Sequence, residues 1–144
     1  MKLTSSLFRN NGNYPGAFTC DGRETNPPLE IKDVPRDAKT LALVLRDPDA
    51  PSGIFVHWVV WNIDPKIEQI DEDSVPAGAL QGRTTDGKHH YVGPCPPSGT
   101  HRYIFTVYAL DTDLHLNEGA TLEQLMVAMH GHIIEQAEIM ARYR

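Results

Sequence analysis

Three short apolar runs, each of strand length and bounded by turn-forming residues, commit this chain to a β-rich core. Residues 39–46 (Lys-Thr-Leu-Ala-Leu-Val-Leu-Arg) lead directly into Asp47-Pro48-Asp49-Ala50-Pro51. Residues 55–63 (Phe-Val-His-Trp-Val-Val-Trp-Asn-Ile) are dense in β-branched and aromatic side chains. Along residues 102–110, Tyr103, Phe105, Val107 and Ala109 share one face, and Ile104, Thr106, Tyr108 and Leu110 the other. Apolar runs this short, rich in residues that fit a pleated surface, read as buried strands. The start of the chain, residues 1–9, alternates apolar and polar residues and reads as a first strand rather than a signal peptide.

The period changes near the C-terminus. Thr121 with Gln124 has the form of a capping box, and Leu122, Leu125, Met126, Met129, Ile133, Ala137 and Met140 follow at three- and four-residue spacing. The pattern predicts one amphipathic helix over 121–142, its Met-rich stripe packed in the core, with Gly131 marking close approach to a strand.

With 144 residues, a single domain over 1–144 with a sizeable core is expected. The net charge of −6 lacks the basic footprint of a nucleic-acid-binding protein. No apolar run approaches the roughly 20 residues needed to span a bilayer, so there is no transmembrane segment and the chain reads as cytoplasmic. In that compartment the two cysteines, Cys20 and Cys95, read as free thiols. Both sit in Gly/Pro-rich loops, which leaves contact between them open. From 71 to 102 there is no sustained period, and Gly and Pro crowd into 76–99, the mark of an ordered functional loop.

The polar residues that could carry chemistry lie at the ends of the predicted strands. Asp47 and Asp49 are two apart, so in an extended segment both carboxylates face one spot, and like charges that close raise the pKa of one of them. His57 interrupts an apolar strand, and His101 opens one after the loop Gly93-Pro94-Cys95-Pro96-Pro97-Ser98-Gly99-Thr100. Two acids and two histidines at strand–loop junctions point to a polar pocket. His89, His90, His115, His130 and His132 read as solvated. No nucleophile elbow, Walker loop, dinucleotide fingerprint or His-Glu-x-x-His is present, and no metal or other cofactor is expected.

The segments Asp47-Pro48-Asp49-Ala50-Pro51, Val56-His57-Trp58 and Gly93 through Tyr103 resemble the motifs of the phosphatidylethanolamine-binding protein family. Phe18-Thr19-Cys20-Asp21-Gly22, Asn26-Pro27-Pro28-Leu29 and Gly78-Ala79-Leu80-Gln81-Gly82 add to the likeness, which spans nearly the whole chain and is closest to the bacterial and archaeal branch. The resemblance implies a mainly β fold: a large antiparallel sheet packed with a smaller sheet, plus a C-terminal α-helix. It also implies a pocket for a small anionic or zwitterionic ligand, phosphate or phosphoethanolamine-like. Carried over by position, that pocket uses Asp47, Asp49, Pro51, His57, Pro96, His101 and Tyr103. Cys95 stands where eukaryotic members usually have glycine, which alters the rim.

The function expected is that of a non-enzymatic binding or regulatory protein. Its protein partner would be a kinase or serine protease that it inhibits, and a homodimer stays open. A small hydrolase using the Asp/His cluster, or a scaffolding protein with a vestigial pocket, are the competing readings. The shaped Asp47–Pro51 loop is also expected to hold a cis X-Pro bond.

Overall fold

The three apolar runs become three long neighbouring strands, and everything else is arranged around them. The structure, a computed structural model, describes residues 1–144. Its strands are β1 (Lys2–Thr4), β2 (Gly12–Asn13), β3 (Leu29–Lys32), β4 (Thr40–Asp47), β5 (Phe55–Ile63), β6 (Gln69–Ile70), β7 (Leu80–Gln81), β8 (His101–Leu110) and β9 (Ile133–Tyr143), with helix α1 (Leu122–Met129) between the last two. The large sheet has the order β2-β9-β8-β4-β5-β7, and the small one β1-β3-β6. All pairs are antiparallel except β2 with β9. The fold is therefore mainly β, with two sheets and a helix, as expected.

Strand alternation explains the two cores. Leu41, Leu43, Leu45, Trp58, Val60, Tyr103, Phe105 and Val107 pack with Leu3, Leu29, Ile31 and Ile70 of the small sheet. The alternate residues Ala42, Val44, Val59, Trp61, Tyr108 and Leu110 pack with Leu125 and Met129 of α1. Burying β4 on both faces accounts for its unbroken apolar run.

The C-terminal reading needs correction. The capping box at Thr121 is present, but α1 stops at Met129 rather than 142. Gly131, at φ +81°, makes the turn that ends it. Nothing lies near enough to Gly131 for its missing side chain to matter, so its backbone conformation is the reason for it, not a close approach. From Ile133 the chain runs as β9, paired with β8 from His101↔Tyr143 to Leu110↔Ile133. Strand alternation turns Ala137, Ile139, Ala141 and Tyr143 to the inner core, so of the helically spaced Ile133, Ala137 and Met140 only Ala137 faces it. A long edge strand's unpaired hydrogen bonds outweigh helix propensity here. Within the supposed Met stripe, Met129 is buried but Met126 is exposed.

Two smaller corrections follow. Only Lys2–Thr4 of the N-terminal stretch is a strand. The cysteines are not free thiols: Cys20 and Cys95 form a disulfide between residues 75 apart. No helix is long and apolar enough to cross a membrane.

Candidate functional site

Because β4 runs antiparallel to both β5 and β8, the end of β4 and the starts of the other two meet at one edge of the sheet. Asp47 is the last residue of β4, His57 the third of β5 and His101 the first of β8. The register supplies a further device. Leu45 faces Trp58 and Arg46 faces Val56, so His57 is the extra residue of a β-bulge. The bulge lets His57 turn to the same side as Trp58, against Tyr103, with ring centroids 5.4 Å apart. A cavity of about 430 Å³ opens there, lined by Asp47, Pro51, His57, Pro96, His101 and Tyr103, together with Ala50, Phe55, Asp86, Val92, Gly93, Cys95 and Pro97.

Each titratable group in it has a defined partner. Asp47, 3% exposed, accepts from His101 Nδ1 at 2.6 Å and from the Asp49 backbone N–H at 2.8 Å. His101 Nε2 donates to Ser98 O at 3.1 Å. Both partners of the His101 ring are acceptors, which pins the ring between Asp47 and the Ser98 loop. Tyr103 stacks on the His101 ring, and burial with the nearby Asp47 pushes its phenol well above the ordinary tyrosine range.

His57 is different. Its Nδ1 donates to Val92 O at 2.7 Å, while Val92 N–H donates back to His57 O. Nε2 has no protein partner, although the residue is only 5% exposed. Burial holds the His57 pKa below its ordinary value. At neutral pH the ring therefore presents Nε2 as a lone-pair acceptor at the cavity wall.

Six of the seven expected residues meet here, and Asp49 does not. Its carboxylate is turned outward and held by Arg102: Oδ1 by Nη2 at 2.8 Å, Oδ2 by Nε at 2.9 Å and by the backbone N–H at 3.0 Å. These bonds pull its pKa down to about 2, opposite to the rise expected from an adjacent carboxylate. The segment is a turn rather than extended, closed by the Asp49 N–H to Asp47 bond and by Gly53 N–H to Ala50 O. All its peptide bonds are trans, so the expected cis proline is absent. Asp86 lines the cavity unforeseen; an exposed loop acid, accepting from Thr84 Oγ1, carries no distinguishing sequence signal.

No group of three His, Cys, Asp or Glu side chains could hold a metal ion. A larger groove of about 650 Å³ lies along α1 and the His115–Ala120 segment, but its polar residues are mostly exposed and hold no comparable network.

The sequence model of the phosphatidylethanolamine-binding proteins matches residues 4–144. The chain belongs to the phosphatidylethanolamine-binding protein family. Among relatives of this family, a UPF0098 protein of Methanothermobacter thermautotrophicus is 44% identical over 100% of this chain and 99% of its own. The crystal structure of a phosphatidylethanolamine-binding protein homolog from Chlamydia trachomatis is 43% identical, with TM-score 0.96 over 99% of this chain and 96% of that one. Escherichia coli YbcL, described as a new member of the mammalian family, is 28% identical, with TM-score 0.92 over 99% and 97% of the two chains.

Proposed function

We propose that this chain is a binding protein acting without catalysis, and that its cavity takes a small phosphate- or phosphoethanolamine-like ligand. The observation that carries this reading is His57: a buried ring, fixed through Nδ1, whose Nε2 is left for a ligand. A phosphate oxygen carrying a proton can donate to Nε2. The carboxylates of Asp47 and Asp86 suit a ligand with an ammonium group. Family membership supports the same reading.

Two further observations weigh against a hydrolase. His101 meets the carbonyl of Ser98 rather than its hydroxyl, and Cys95 is tied up in the disulfide. Neither is an activated nucleophile. Inhibition of a partner kinase or serine protease by the occupied cavity or its rim belongs to this proposal. Cytoplasmic residence also belongs to it, and then Cys20–Cys95 must persist in, or cycle with, a thiol-rich environment.

The test is calorimetry with inorganic phosphate and O-phosphoethanolamine across the histidine range, about pH 5.5 to 8. Affinity should rise as pH falls, because the ligand and then His57 itself become protonated. His57→Ala should weaken binding about tenfold or more, the equivalent of one lost hydrogen bond to a charged group. Affinity that rises with pH, or no binding by either compound, would overturn the proposal.

A further inference from the structure

We propose that the Cys20–Cys95 bond is a thiol–disulfide exchange site, opened by a dithiol, whose redox state sets the affinity of the adjoining cavity. The coupling rests on the ligand-binding reading above; the exchange chemistry does not.

Accessibility comes first. Both cysteines are exposed, and Cys95 is itself part of the cavity wall. The bond is therefore open to a thiolate from solvent, unlike the buried bridges that only hold a core. Exposed disulfides are the labile ones.

The second observation is what else holds the wall. Residues 94–100 have no regular structure. They make two hydrogen bonds to the rest of the chain: Cys20 N–H to Pro94 O at 3.1 Å, and His101 Nε2 to Ser98 O at 3.1 Å. The residues just before them are fixed independently. Tyr91 Oη donates to Phe18 O at 2.7 Å, and a Cβ on Gly93 would lie 2.7 Å from that same carbonyl oxygen. After them, His101 is locked into β8. With the disulfide open, the chain stays anchored at Gly93 and at His101, while the span between loses its covalent tie. That span carries Pro96 and the carbonyl that orients His101. Reduction thus acts on the cavity and leaves both cores in place.

The exchange balances as a two-electron reaction. One thiolate of the dithiol attacks a sulfur of the bridge, the S–S bond breaks, and the other cysteine leaves as a thiolate that takes a proton. The second thiol of the dithiol then displaces the mixed disulfide. The dithiol leaves as a cyclic disulfide, and Cys20 and Cys95 remain as two thiols.

The experiment uses the full chain, oxidised or treated with dithiothreitol. Thiols are counted by alkylation and mass, and the fold is followed by circular dichroism. The His57 and His101 rings are followed by NMR, and inorganic phosphate is titrated into each state. Two thiols should appear without loss of β-structure at room temperature. The His101 ring signals should move, and the phosphate dissociation constant should rise about fivefold or more, at the low end of allosteric couplings. By reciprocity, saturating phosphate should make the bond harder to reduce by the same factor. Cys20→Ala with Cys95→Ala should show the weaker constant whether or not dithiothreitol is present.

A bond that resists excess dithiothreitol, global unfolding on reduction, or unchanged histidine signals and affinity in the two-thiol state would each overturn the proposal. Moving histidine signals with no phosphate binding in either state would sink the ligand-binding reading and the coupling, and would leave the exchange site established.

Discussion

Removing the Asp47 carboxylate tests whether the site is held by a buried hydrogen-bonded pair. Asp47 and His101 are almost fully enclosed, with side-chain exposures of 4% and 8%, and are joined at 2.6 Å. Asp47→Ala strands the His101 Nδ1–H and the Asp49 N–H together. Each buried donor left unsatisfied costs about 1–3 kcal/mol, so the two together cost about 3–5 kcal/mol. At about 2.1 cal/mol/K of unfolding entropy per residue, 144 residues translate this into a fall in Tm of about 10–15 °C. Asp47→Asn should cost much less. An amide can donate to the Nδ1 lone pair of a neutral His101, whose Nε2–H still reaches Ser98 O. The double variant Asp47→Ala, His101→Ala should be less destabilised than the sum of its parts, by at least about 1 kcal/mol. Urea denaturation with matched slopes measures these three variants and the single variant His101→Ala that completes the cycle. If Asp47→Ala costs less than about 1 kcal/mol, or the cycle shows no coupling, the pair is not what holds this edge of the sheet.

Two further outcomes follow from the same geometry. Closing 75 residues with Cys20–Cys95 stabilises the fold by about 4 kcal/mol in the chain-entropy account, so scanning calorimetry of the reduced protein should show a Tm lower by about 10–15 °C; an unchanged Tm would refute it. Asp49, with its pKa at about 2 against 3.8 in the unfolded chain, binds fewer protons folded than unfolded between those values. Its contribution is complete above the higher value and lost as pH falls through the lower. The stability gap between the wild type and Asp49→Asn should therefore narrow toward zero by about pH 2; a gap as wide there as at neutral pH would refute the Arg102 pairing.

The sheet was legible where burial alone decides. Residues 39–46, 55–63 and 102–110 could be little else than β4, β5 and β8, and the polar residues at their ends had to converge once those strands paired antiparallel. The C-terminus misled because Ile133, Ala137 and Met140 extend the helical spacing of α1, and only the open flank of β8, which needs a partner, turns this segment into a strand. Asp49 misled because spacing of two assigns a common face only in extended backbone, and the Asp47 side chain folds this segment into a turn. The disulfide was hidden because sequence separation says nothing about how close two loops come. The bulge at His57 is likewise a property of pairing, invisible in a single strand.

The pairing of β8 with β9 also sets the order in which a cell can complete this protein. Asp47, His57 and His101 all leave the ribosome before the residues that flank β8 on its open side. Until β9 arrives, β8 is a ten-residue ribbon with a bare edge and apolar side chains, the kind of surface that recruits wrong partners. His101, which faces Tyr143 across the ladder, is placed only at the final pairing. A nascent chain halted between residues 103 and 133 therefore holds the cavity-lining residues without the assembled cavity, and chaperone occupancy on stalled ribosomes should peak in that interval.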